Sequence, residues 1–193
     1  IEVKQIHEAS DMKKFVEFNL KLYKGNPYHV PGLIKDELDT LNPRINPAFQ
    51  FCEAAYFLAY RDGEIVGRIA GIINHRANDT WNQNNARFGF VDFINDDEVV
   101  DALFAAVTKW AKSHKKDMLQ GPMGFTDLDH EGMLIEGFDQ IGTMATIYNY
   151  DYYPQHMEKV GGWEKDNDYV EYRLDVPETA PEKYTKIAEM VEK

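Results

Sequence analysis

Residues 88–116 read FGFVDFINDDEVVDALFAAVTKWAKSHKK, and the change of period within them decides the architecture. Phe88, Phe90, Asp92 and Ile94 alternate with Gly89, Val91 and Phe93, so both faces of this strand are largely apolar. A strand with two apolar faces belongs in the middle of a sheet. From Asn95 or Asp96 the spacing becomes helical and runs to about His114, with Val100, Leu103, Phe104, Val107, Trp110 and Ala111 on one side. Asp97 and Glu98 occupy the first turn while Lys112, Lys115 and Lys116 lie near the end, the charge order a helix dipole favours.

Upstream, Ala55 to Tyr60 and Ile65 to Ile73 are strand-like runs joined by Arg61-Asp62-Gly63-Glu64, whose Asp-Gly pair suits a tight hairpin. Val3 to Ile6 alternate weakly as a first strand. Ser10 or Asp11 then caps a helix to about Tyr23, with Met12, Phe15, Val16 and Leu22 on one side. Between that helix and the hairpin, Pro27, Pro31, Pro43 and Pro47 restrict the chain to loops around a short helix near Ile34 to Leu41.

Downstream, a short strand at Met118 to Gln120 stops at Gly121-Pro122, and Met133 to Ile135 and Met144 to Tyr148 read as further short strands. A helix of about two turns near Tyr153 to Val160 leads through Gly161-Gly162 to strand-like Trp163 to Lys165 and Tyr169 to Val176. After Pro181 comes an amphipathic helix with Tyr184, Ile187, Ala188 and Val191, still running at Lys193. The pattern predicts one domain over residues 1–176, then a linker and the start of a cut helix over 177–193, leading to a further domain.

The 33 acidic residues exceed the 21 basic ones, giving a formal charge of −12 spread along the chain. Such a field repels nucleic-acid backbones and anionic membrane surfaces, and it suits a basic small molecule or a basic protein. No apolar run approaches the roughly 18 residues needed to cross a bilayer. The lone Cys52 has no partner for an internal disulfide, and the N-terminal stretch has no signal-peptide pattern, so the chain is expected to be cytoplasmic.

The order strand, helix, proline-rich excursion, three strands, long helix, strand, helix, strand, strand resembles that of the GNAT N-acetyltransferase superfamily. Three features carry the likeness: the hairpin Tyr56 to Ile73 with Gly63, Ile65, Val66 and Gly67; Phe88 to Ile94 followed by the helix from Asp97; and Asn149 to Trp163 with Tyr153, Gly162 and Trp163. The run Gly121-Pro122-Met123 through Gly132, Gly137-Phe138 and Tyr148-Asn149 also resembles a group of uncharacterised bacterial GNAT-like proteins longer than this chain. The resemblance implies an α/β GNAT-like fold, with a central mixed sheet flanked by helices, that transfers an acetyl group from acetyl-CoA to an amine without a metal. It leaves room for a second domain or a homo-oligomer.

In that superfamily the loop after the fourth strand carries an Arg/Gln-x-x-Gly-x-Gly/Ala pattern whose amides hold the coenzyme A pyrophosphate. The corresponding positions are Phe93, Ile94, Asn95, Asp96 and Asp97, then Glu98, with no glycine and three consecutive carboxylates. Carboxylates start a helix well, but they compete with a diphosphate for the same positive end. Two readings follow: an N-acyltransferase with its donor against Phe93 to Asp97, and a catalytically degenerate GNAT-fold module that binds a ligand or supports a neighbouring domain. The resemblance makes Asp92 the candidate base; the plainer alternative is that it hydrogen-bonds a neighbouring loop. The family's tyrosine acid falls at Glu158 or Met157; Tyr152 and Tyr153, about a turn earlier, are the substitute candidates, with Tyr153 preferred, and the plainer alternative is that the Tyr-Tyr-Pro helix entry is a packing feature.

Asp127, His130 and Glu131 cluster in the loop Thr126 to Gly132, just after the fifth strand, where GNAT domains splay their central strands. They are candidates to face the substrate, or else a solvated loop capping nearby backbone. Their spacing is neither that of a calcium loop nor of a two-histidine zinc motif, so no metal is expected.

Overall fold

The computed structural model describes residues 1–192, which separate into two compact units, Ile1–Trp163 and Glu164–Lys193. The first contains β1 (Glu2–Ile6), α1 (Ala9–Leu22), α2 (Ile34–Thr40), a 3-10 turn (Pro47–Gln50), β2 (Cys52–Arg61), β3 (Glu64–Asn74), α3 (His75–Trp81), β4 (Asn85–Phe93), α4 (Asp97–Ser113), β5 (Met118–Gln120) and α5 (Tyr152–Val160). The sheet order is β1-β2-β3-β4-β5, antiparallel except for the parallel pair β4 and β5. This is the expected α/β arrangement, a mixed sheet between helices. The β2–β3 hairpin turns at Asp62 and Gly63, both at positive φ (51° and 85°), as a primed two-residue turn requires.

Each face of the sheet has its own core. On one, Phe15 and Val16 of α1 and Leu41 pack against Tyr56, Leu58, Ala70, Ile72 and Phe125. On the other, Val99, Val100, Leu103, Phe104 and Val107 of α4 pack against Phe57, Ile69, Phe88 and Phe93, joined by Tyr153 of α5. The lack of a side chain at Gly71 lets α4 lie close, since a Cβ there would stand 2.5 Å from the Trp110 ring.

Simple alternation places Phe88, Phe90 and Asp92 on one face, and a bulge breaks that rule. Ala70 pairs with Gly89 while Arg68 pairs with Asp92, so Phe90 and Val91 oppose Ile69 alone, with Phe90 at φ 47°. Phe88 consequently packs against Phe104 of α4, whereas Phe90 packs against Phe125 on the opposite face. Asp92 is thereby turned towards α1. Pairing of β4 with β5 ends at Arg87 and Gln120, and the chain then leaves the strand's edge after Met123 N–H bonds Phe88 O at 2.8 Å. The end of β4 is left to the side chains of α5.

Several expected elements differ. The sequence reading missed α3, although Asn74 caps it by accepting from Ala77 N–H and Asn82 closes it at φ 49°. Met133 to Ile135 and Met144 to Tyr148 form no strands. Asn149 instead bonds Leu134 in both directions, accepting its N–H at 2.7 Å and donating to its carbonyl at 3.1 Å, which supplies locally what a strand partner would. In the second unit, residues 164–176 form no ladder, and Tyr169, Val170, Tyr172, Leu174 and Val176 are exposed; alternation makes a strand only when a neighbour completes its hydrogen bonds. This unit ends in α6 (Glu182–Val191). Among the described residues no helix is long and apolar enough to cross a membrane.

Leu103 is fully buried between α4 and the sheet. Leu103→Ala is expected to lower the unfolding free energy by about 2–5 kcal/mol, read from a urea titration. A loss no larger than that of an exposed-site control would contradict the packing described.

Candidate functional site

Arg68 interrupts the apolar run of β3 and lies in register with Asp92 on β4, both at 4% exposure. Its Nε donates to Asp92 Oδ2 at 2.7 Å, and its Nη1 donates to the Phe15 carbonyl at 3.0 Å and to Glu37. Burial disfavours the guanidinium's charge, but Glu37 and Asp92 more than reverse this and raise its pKa. Asp92 Oδ2 also accepts from Asn19 at 3.0 Å, and Oδ1 lies 3.1 Å from both the Tyr23 and the Tyr153 hydroxyls. Four neighbours therefore surround the carboxylate, as many as its lone pairs can serve.

The two hydroxyls lie 2.9 Å apart, and Tyr153 also accepts Phe93 N–H at 3.2 Å. Tyr152 donates to Phe93 O at 2.8 Å, so α5 occupies the edge that β5 leaves open. Burial first, and the Asp92 charge second, push both the Tyr23 and Tyr153 phenols well above their usual value, keeping them neutral. The structure thus brings Asp92 and Tyr153 together and joins to them Asn19, Tyr23, Glu37 and Arg68, which the sequence reading did not single out. An arginine within the run Ile65 to Ile73 was the available signal, because an unpaired charge is not tolerated there.

Residues Phe93 to Asp97 form a closed helix start. Asp96 caps α4 by accepting from Glu98 N–H at 3.0 Å and Val99 N–H at 3.3 Å, and it pairs with Arg61 at 2.9 Å. Asp97 pairs with Lys159 of α5 at 2.9 Å and lies 2.6 Å from His156 Nδ1, while Asn95 Oδ1 lies 2.7 Å from His156 Nε2. Arg61 and Lys159 respectively hold the Asp96 and Asp97 carboxyls below the usual carboxylate range. Ile94 continues the β4 ladder through a 3.0 Å bond to Val66 O. At this helix start the Glu98 and Val99 amides are engaged by the Asp96 carboxylate and the Phe93 amide by the Tyr153 hydroxyl.

Beside the Asp92 cluster, an open cleft of about 420 Å³ lies between the end of α1 and residues 138–151. Lys24, Asn26, Tyr28, Phe138, Tyr148, Tyr150 and Asp151 line it. Behind this wall, near-parallel rings follow one another: His29 on Tyr23 at 4.4 Å, Tyr23 on Tyr150 at 4.9 Å, and Tyr150 on Tyr152 at 5.4 Å. Tyr23 therefore links the cleft to the buried carboxylate.

The 126–132 loop stands apart from this arrangement. Asp127 and His130 are exposed, His130 Nε2 lies 2.9 Å from Met144 O, and Glu131 is half-buried; none of the three is among the cleft-lining residues. No group of three metal-binding side chains occurs among the described residues. Burial pushes the Cys52 thiol up to about 11, as befits a small core residue.

Solved structures with the same layout include an aminoglycoside acetyltransferase from an uncultured soil metagenomic sample, in complex with sisomicin (TM-score 0.53, 11% identity, 90% of this chain and 96% of that one). The fold is that of the GNAT acetyltransferases. A protein from Clostridium acetobutylicum described as a predicted acetyltransferase, solved with acetyl-CoA, shares this GNAT layout at TM-score 0.50 and 9% identity, over 90% of this chain and 96% of its own. Among curated proteins, Protein YghO of Escherichia coli strain K12 is 30% identical over 159 residues, 82% of this chain and 40% of its own length. A bacterial ceramide synthase of Caulobacter vibrioides is 26% identical over 178 residues, 92% of this chain and 46% of its own. The chain thus spans less than half the length of these relatives. No family model matches it.

Two outcomes test the site. Arg68→Met leaves Asp92 buried without its cation and is expected to cost about 3–5 kcal/mol in a denaturant titration, part of which Asp92→Leu in the same chain restores. Combining Asp96→Gly with Asp97→Asn removes two charges and frees the Glu98 and Val99 amides, at a capping cost of a few tenths of a kcal/mol. Acetyl-CoA should then bind more tightly by calorimetry; unchanged binding would show that these carboxylates are not what closes the helix start.

Proposed function

We propose that this chain is the acyl-transfer domain of an N-acyltransferase, joining an acyl group carried as a coenzyme A thioester to the nitrogen of an amine. The observation that carries this reading is the cleft. An acceptor amine reaches the enzyme as an ammonium ion, and Tyr28, Tyr148 and Tyr150 offer aromatic faces on which an organic cation can stack, while the Asp151 carboxylate offsets the Lys24 ammonium in the same lining. The excess of acidic residues favours the same ligand. The acetyltransferase fold supports the reaction class, and the acetyl-CoA in one such structure supports the donor.

A relative supports one acceptor class. A ceramide is the N-acyl derivative of a long-chain amino alcohol, and one matched protein is named a ceramide synthase, so long-chain amines are the acceptors to test first. Asp96 and Asp97 keep a donor's diphosphate off α4, which requires the phosphates to be held elsewhere, and the longer relatives leave sequence for that purpose. The same two residues favour a second reading, a GNAT-fold module that binds an amine or supports a neighbouring domain without a donor site of its own.

Incubating the full-length protein with acetyl-CoA or palmitoyl-CoA and sphinganine separates the two. Acyl transfer predicts thiol release that depends on the amine, with the amide seen by mass spectrometry. Amine binding without either product would leave the second reading standing alone.

A further inference from the structure

The buried Asp92 carboxylate is already engaged by Arg68, Asn19, Tyr23 and Tyr153, and at 4% exposure it has no face to offer an incoming ammonium. Tyr153 is likewise buried and held between Asp92 and Phe93 N–H. A group able to take the acceptor's proton must be unprotonated, near the cleft and not already engaged by the fold.

His29 adjoins the cleft rather than lining it, next to the lining Tyr28 and edge-on to the lining Tyr148. It lies in the loop after α1, between Pro27 and Pro31, where Asn26 Oδ1 accepts the Tyr28 and His29 amides at 2.8 and 3.3 Å. Asn26 also donates to the Tyr148 hydroxyl at 3.1 Å, tying this loop to the opposite wall of the cleft. The imidazole is half-buried, stacked face to face on Tyr23 and edge-on to Tyr148 at 6.0 Å. Its ring nitrogens make no hydrogen bond among the described residues.

We propose that His29 is the general base of the acyl transfer, accepting a proton from the ammonium of the substrate bound in the tyrosine-lined cleft. The inference rests on the N-acyltransferase reading. His29 takes one proton from the ammonium and leaves a neutral amine. The nitrogen lone pair forms the C–N bond at the thioester carbonyl, the C–S bond breaks with its electron pair on sulfur, and the thiolate takes the second nitrogen proton. The products are an amide, a free thiol and an imidazolium, which returns its proton to solvent.

The groups facing the ring suit this role. Tyr23 and Tyr148 pack on it, Asn26 orders its backbone, and Asp92 and Arg68 act at longer range. Burial lowers the imidazole's pKa from 6.5 and Arg68 lowers it further, against the opposing effect of Asp92. The fold therefore prefers the neutral ring. Activity that depends on the neutral form is complete above 6.5 and is lost as pH falls through a value below it.

The test is the pH profile of amide formation by the full-length protein, using palmitoyl-CoA and dodecylamine as probes. His29→Gln is expected to lower kcat about a hundredfold or more, leave KM for the amine unchanged and abolish the acid limb. His29→Ala should regain activity when imidazole is added. A His29→Gln protein with wild-type kcat and an intact acid limb overturns the assignment while leaving acyl transfer in place. So does a loss of kcat that imidazole does not rescue and that accompanies a lowered unfolding midpoint, since it marks the ring as structural. Absence of amide from the wild-type protein overturns acyl transfer itself, and the role of His29 with it.

Discussion

The ion pair between Arg68 and Asp92 is the constraint to which the rest of the molecule conforms. Two opposite charges at 4% exposure persist only if every donor and acceptor around them is answered. The answers come from α1 through Asn19, Tyr23 and the Phe15 carbonyl, from α2 through Glu37, and from α5 through Tyr153. One buried ion pair thus fixes three helices against two adjacent strands. The bulge at Phe90 is the local cost of this arrangement, a bulky residue held at positive φ so that Asp92 can face α1.

The same network bears on chemistry by exclusion. A carboxylate already faced by four neighbours has no open side for a substrate, and a phenol pushed far above its usual value is a poor proton donor. Their shared contribution is rigidity at the rear of the cleft. Tyr23 transmits it, with its hydroxyl in the polar cluster and its ring between His29 and Tyr150.

Much of the fold was legible in the sequence because its central elements are periodic and long. The period change between Phe88 and Ala111 locates β4 and α4, and Asp62-Gly63 locates the hairpin. Three things were not legible, each for a physical reason. The bulge leaves no trace in an alternating pattern. The pairing of Asn149 with Leu134 replaces a strand by one amide side chain, which apolar spacing does not register. Tyr169 to Val176 alternate as a strand would, but no ladder forms in that segment. At the site, only the family likeness singles out Asp92 and Tyr153 in the sequence. Tyr23, Arg68 and His29 lie 24 or more positions from Asp92 along the chain and meet it or one another only through the sheet and the α1 loop.

The margins of the sheet have a consequence of their own. The β5 margin is a strand of three residues, and the β1 margin alternates Glu2 and Lys4 with smaller side chains along five. Neither provides a long, flat, uncharged row of free amides and carbonyls onto which a stranger's backbone could zip. A sheet with such margins resists edge-to-edge pairing with another chain.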